Sequence, residues 1–141
     1  MTIDMDNPVL RLCQEGMRAE ADGRPGDAEA LFERAWDART GDYDACVAAH
    51  YVARRQTEPA EILRWNRRAL AHADAVGDET VASFYPSLHV SVALAHETLG
   101  DPAAARAAWA KAAEHVADLP ADTYGEEIRD AITGALKRLP R

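Results

Sequence analysis

The sequence predicts an all-α fold, and three observations carry that prediction. Thirty of the 141 residues are alanine, the strongest helix former, against nineteen valines, isoleucines and threonines together. Helix punctuation recurs at short intervals: Asn7-Pro8 and Asp101-Pro102 each place a capping side chain before a proline suited to the first helical position. Between these marks the apolar residues recur at helical spacing.

The elements follow in order. A first helix at about residues 8–22 opens at Asn7-Pro8, and a second at 25–39 opens at Pro25, after the turn at Gly23. Gly41 reads as the left-handed stop of that helix, and a third spans 43–55. Thr57-Glu58-Pro59 opens a fourth at 58–76, closed by Gly77. The fifth, at 79–99, ends at Gly100 and contains Pro86, so either it kinks there or its first turn or two forms a separate piece ending near Tyr85. Asp101-Pro102 starts a sixth at 102–117. A seventh, at 123–138, carries Tyr124, Ile128, Ala131, Ile132, Ala135, Leu136 and Leu139 on one stripe and charged residues on the other, the pattern of a cap.

A chain of this length forms one domain, residues 1–141, and buries roughly two-thirds of its unfolded surface without disulfides. The formal charge of −8 opposes nucleic acid and anionic membrane surfaces as partners. With no basic leader and no run of about 20 apolar residues, the expectation is a soluble cytoplasmic protein. Cys13 and Cys46 are then reduced, semi-buried helix residues.

Self-similarity sharpens the fold. Gly23, Ala28, Phe32 and Ala35 are echoed at the same spacing by Gly100, Ala105, Trp109 and Ala112, with a weaker copy at Thr57, Ile62, Asn66 and Ala69. The closing alanines are separated by 34 and 43 residues. Small residues at these places let paired helices approach closely, and the aromatic fills the gap beside them.

These residues resemble the tetratricopeptide repeat family, whose unit is a helix pair of 34 residues. Leu12, Gly16 and Ala19 match the first-helix positions of that motif in the first unit, Cys46, His50 and Ala53 in the second, and His89, Ala93 and His96 in the third. The resemblance covers about residues 8–117. It implies a right-handed α-α superhelix of three helix pairs, at about 8–40, 43–77 and 79–118, plus a C-terminal capping helix at about 123–138. Two departures stand out: the second unit lacks the turn glycine and the small second-helix residue, and roughly nine extra residues precede the third.

Residues that carry chemistry are sparse. The eight glycines form no phosphate-binding pattern. His89 and His96, seven apart, sit roughly 10 Å from each other along a helix, too far for the i,i+4 pairing that holds zinc, and both occupy packing positions. Phe32, Trp36, Trp65 and Trp109 fall at packing spacing on second helices and read as core rather than as a stacking platform. No cofactor, metal or catalytic residue is expected.

Charge counted by segment is more informative. Residues 51–70 carry five arginines against two glutamates, whereas residues 1–50 carry five basic and eleven acidic side chains. In the superhelix that the resemblance implies, first helices line a concave groove. That directs Asp44, Val47, Tyr51, Arg54 and Arg55 into it, flanked by Cys13, Met17 and Glu20 on one side and Ser87, Val90, Leu94 and Glu97 on the other. Arg64, Arg67 and Arg68 lie on the outer face. The expected function is a protein- or peptide-binding adaptor, not an enzyme. Its partner would be a protein or peptide with an acidic segment or carboxylate, received by Arg54 and Arg55 with Tyr51 as an amphipathic anchor. The bland reading of the arginines is helix-end and outer-face charge, with Glu61 pairing Arg64. A homodimeric scaffold joined through exposed Val81, Phe84 and Tyr85 is the alternative function, and an enzyme site around Ser83, Ser87 and His89 is a third.

Overall fold

The computed structural model describes residues 6–140. Among them the secondary structure is entirely helical. The elements are α1 (Pro8–Ala21), α2 (Pro25–Asp37), α3 (Asp42–Arg54), α4 (Pro59–Val76), α5 (Tyr85–Thr98), α6 (Pro102–Ala113) and α7 (Thr123–Arg138), with short 3-10 helices at Glu79–Phe84 and Val116–Asp118.

Three of the α-helices, α1, α6 and α7, start from side-chain caps. Asn7 Oδ1 accepts the Val9 amide at 2.9 Å, Asp101 Oδ1 accepts Ala104 at 3.1 Å and Asp122 Oδ1 accepts Gly125 at 2.8 Å, each satisfying a donor that the first turn leaves open. Gly23, Gly77 and Gly100 adopt φ of +75°, +66° and +79°, the left-handed region open to glycine. Gly41 behaves otherwise: its φ of −158° is extended, and it precedes α3 instead of closing α2, which has already ended at Asp37. Pro86 resolves the fifth segment into two pieces. The chain runs as a 3-10 helix to Phe84, and α5 starts at Tyr85 with the proline in its first turn, where no amide is needed.

Each helix packs against its neighbours in the chain, most extensively α1 with α2, α3 with α4 and α5 with α6. Across pairs, α1 also touches α3, and α5 touches α7. Ala28, Ala35, Ala105 and Ala112 are fully buried, as close helix approach requires. Phe32 and Trp109 fill the space beside them. Gly16 marks the tightest approach, because a Cβ there would collide with the Phe32 ring. Ile132 and Ala135 of α7 join the cluster around Trp109, while Tyr124 and Ala131, assigned to the same stripe, are exposed.

The segment before α5 corrects an expectation. Val81 is fully buried, and Phe84 packs toward Tyr43 with ring centroids 6.2 Å apart. Tyr85 donates to Asp74 Oδ1 at 2.6 Å and stacks on His115 at 4.6 Å. Val81 thus closes the junction between the second and third helix pairs and is not exposed as expected, while Phe84 and Tyr85 are half-buried beside it. No helix among the described residues is long and apolar enough to cross a membrane.

Candidate functional site

The arginines at the end of α3 face the end of α1. Arg54 and Arg55 occupy the last turn and cap of α3, where a cation complements the partial negative charge of the helix terminus. Opposite them Glu20, the penultimate residue of α1, divides its carboxylate between the two: Oε1 lies 3.0 Å from Arg54 Nη2 and Oε2 lies 3.3 Å from Arg55 Nη1. The Glu20 side chain is 15% exposed and that of Arg54 46%, so the carboxylate is the inner member of the trio. The Arg55 Nε is buried without a hydrogen-bond partner.

Tyr51 lies one turn back along α3. Its hydroxyl donates to Met17 Sδ at 3.1 Å, its ring stacks on Phe32 at 5.2 Å, and the Arg54 guanidinium sits 5.5 Å from its centre. Met17 remains 37% exposed. Two of these cross-helix pairs, Met17 with Tyr51 and Glu20 with Arg54, are 34 residues apart, and so are Cys13 and Val47 in a shared core cluster. α1 and α3 therefore lie side by side in a register of 34 residues.

On α5 the positions 43 residues further on are Val90, Leu94 and Glu97. Leu94 is 51% exposed and lines an open recess of about 300 Å³ with Thr57, Pro59, Ile62, Ser91 and Thr98. Glu97 is turned toward α6 and α7: it accepts Trp109 Nε1 at 2.9 Å and pairs with Arg138, which holds its carboxyl below the ordinary range.

Other expected groove residues are spoken for. Asp44 is buried, accepting Asn7 Nδ2 at 2.7 Å and Thr40 Oγ1 at 3.0 Å, and so ties the start of α1 to the start of α3. Val47 and Val90 are buried in core clusters, and the Ser87 hydroxyl donates to the Phe84 carbonyl at 3.2 Å. Of the residues expected in the groove, Met17, Arg54 and Leu94 are exposed and Tyr51 and Arg55 are half-buried.

On the face of α4 expected to point outward, Arg64 pairs with Glu61 at 2.7 Å, as their spacing of three predicts, and Arg68 lies 4.7 Å from the centre of the Trp65 ring. Trp36 and Trp65 meet edge to face at 5.0 Å, half-buried as core aromatics.

Chemistry at the buried polar groups is restrained. Burial pushes the Cys13 and Cys46 thiols up to about 12, which keeps them protonated at neutral pH. The described residues contain no group of three or more His, Cys, Asp and Glu side chains placed to hold a metal ion. His89, Tyr85 and His115 form a cluster of near-parallel rings, each within 6.0 Å of the other two. The cluster escaped the sequence reading because nothing in the chain pattern links position 115 to the start of α5. The clasp of Glu20 on Arg54, by contrast, was readable from the repeat period. No protein-family model matches this chain, and no curated protein matches it.

Proposed function

We propose that the chain is a tetratricopeptide-like array, three helix pairs wound as a right-handed superhelix and closed by α7, that binds a protein or peptide segment along its first helices. The observation that carries this reading is the register of 34 residues between α1 and α3, with Met17 beside Tyr51 and Glu20 beside Arg54. Equivalent side chains of the first two pairs then lie side by side on one surface, which is how stacked repeats build an extended binding face. The face offers apolar area at Met17, Tyr51 and Leu94, with arginines that favour a carboxylate. Two free cysteines fit a reducing, cytoplasmic setting.

The test is an array of acidic and neutral peptides, read against the wild type and the Arg54→Glu/Arg55→Glu variant. Acidic peptides bind the wild type, and the double substitution weakens them at least about tenfold while the melting temperature holds within a few degrees. The milder Arg54→Gln/Arg55→Gln pair guards against unfolding caused by clustered acids. Binding unchanged in both variants removes the arginines from the site, and an array with no bound peptide removes the peptide-binding reading.

A further inference from the structure

We infer that Glu20 is an internal ligand of the Arg54–Arg55 pair, occupying the place that a partner's carboxylate takes, so that the chain binds its peptide by exchanging one carboxylate for another. The inference rests on the peptide-binding reading above and adds the regulation of that site.

The geometry argues for exchange over a fixed clasp. A guanidinium offers a planar fork that matches both oxygens of a carboxylate. Here neither fork is used in full, since each arginine meets a different oxygen of Glu20 through one nitrogen. One carboxylate thus answers two cations, leaving a net positive charge and unused donors, including the buried Arg55 Nε. The position of Glu20 is itself unfavourable: an acid in the last turn of α1 meets the negative end of the helix dipole, which Arg18 in the same turn and the two arginines of α3 offset. Its side chain has three rotatable bonds and leaves that place at little conformational cost. Beside the arginines, Tyr51 and the exposed Met17 supply an apolar platform for the residue next to an incoming carboxylate. The ligand class that fits is a peptide segment with an aliphatic residue adjacent to a carboxylate, either a side chain or a free C-terminus.

The probe is a fluorescein-labelled ten-residue peptide of alternating leucine and glutamate with a free C-terminus, read by anisotropy. Glu20→Gln removes the internal competitor and its repulsion toward the ligand, and binds the probe about fivefold more tightly than the wild type, a factor equivalent to about 1 kcal/mol. The gain disappears in Glu20→Gln/Arg54→Gln, and because glutamine keeps the shape of this part-buried side chain and one acceptor oxygen, Glu20→Gln loses a few degrees of melting temperature and is folded at the assay temperature. An amidated version of the probe that keeps the gain assigns it to glutamate side chains, and one that loses it assigns it to the terminus; both support exchange. Wild-type binding that depends on Arg54 while Glu20→Gln binds equally or more weakly overturns the inference and leaves the peptide-binding reading standing. If neither protein binds the probe but the array yields a peptide that depends on Arg54, the carboxylate exchange fails alone. If the array also yields none, both fail.

Discussion

Gly16→Ala is expected to destabilise the protein by about 1–3 kcal/mol, although alanine is the better helix former by roughly 0.5–1 kcal/mol in an unobstructed helix. The sign is set by the Phe32 ring, which lies where the new methyl would go. Both residues are buried, so the ring can move only by displacing neighbours such as Ala19, Ala28, Val52 or the stacked Tyr51. Phe32→Ala alone is expected to cost about 3–5 kcal/mol, from lost burial and the cavity left behind. The two changes are strongly coupled, because the cavity of the second accommodates the methyl of the first. Urea denaturation of the two single variants and the double should therefore show the double less destabilised than their sum, by about 1 kcal/mol or more. Additive costs would mean that the close approach of α1 and α2 is not made by this pair. If Phe32→Ala does not fold, Phe32→Leu serves in the same cycle with a smaller cavity.

The repeat positions explain why so much of the fold could be read before any coordinates, and where reading stopped. Gly16 faces Phe32, and Ala93 shares a cluster with Trp109: a small residue on each first helix accompanies a large one on its partner. The second unit departs from the pattern in lacking the turn glycine and the small second-helix residue, with Thr57 and Ile62 in their places, and it puts His50 and Asn66 where the other units have the small and the large residue. By position these are a complementary exchange, a larger residue on the first helix and a smaller one on the second. Asn66 is buried without an unmet donor, its amide bonding to the Ile62 carbonyl at 2.8 Å. Helix starts were legible because Asn7, Asp101 and Asp122 cap through local bonds, which depend on a few adjacent residues. Gly41 misled for the same reason: a glycine between helices can end one or begin the next, and only its φ decides.

The candidate site was legible in part. Tyr51 and Arg54 meet Met17 and Glu20 of α1 at the spacing of 34 that the repeat has in the sequence, while Leu94, 43 residues further on, is exposed beside the start of α4. Asp44 and Glu97 could not be separated from the open positions, since their partners, Asn7 and Thr40 in one case, Trp109 and Arg138 in the other, lie outside the first-helix pattern. The apolar segment at Val81–Tyr85 read as exposed because it interrupts the repeat. An insertion beside a stack has somewhere to bury apolar side chains, and here they close the junction between two pairs.

His50 makes stability depend on mild acid. Burial, and secondarily the positive charge of Arg54, lower its pKa from an ordinary 6.5 to about 4. The folded chain therefore resists a proton that the unfolded chain accepts between those values. Stability is complete above about pH 6.5 and falls as the pH drops toward 4, by about 2 kcal/mol at pH 4.5. His89 is lowered in the same direction, by burial first and then by His115 and Lys111. Urea midpoints at pH 7.5, 5.5 and 4.5 should fall steeply for the wild type and much less for His50→Gln, with His89→Gln intermediate. An equal fall in His50→Gln, or an NMR titration of the His50 ring near pH 6.5, would contradict the assignment. Arg54 joins this effect to the binding face. Arg54→Gln removes the secondary cause, so it should raise the His50 pKa slightly and flatten the acid slope while weakening the acidic probe. Observing both changes in one variant would place the half-buried histidine and the exposed guanidinium in the same electrostatic neighbourhood at the end of α3.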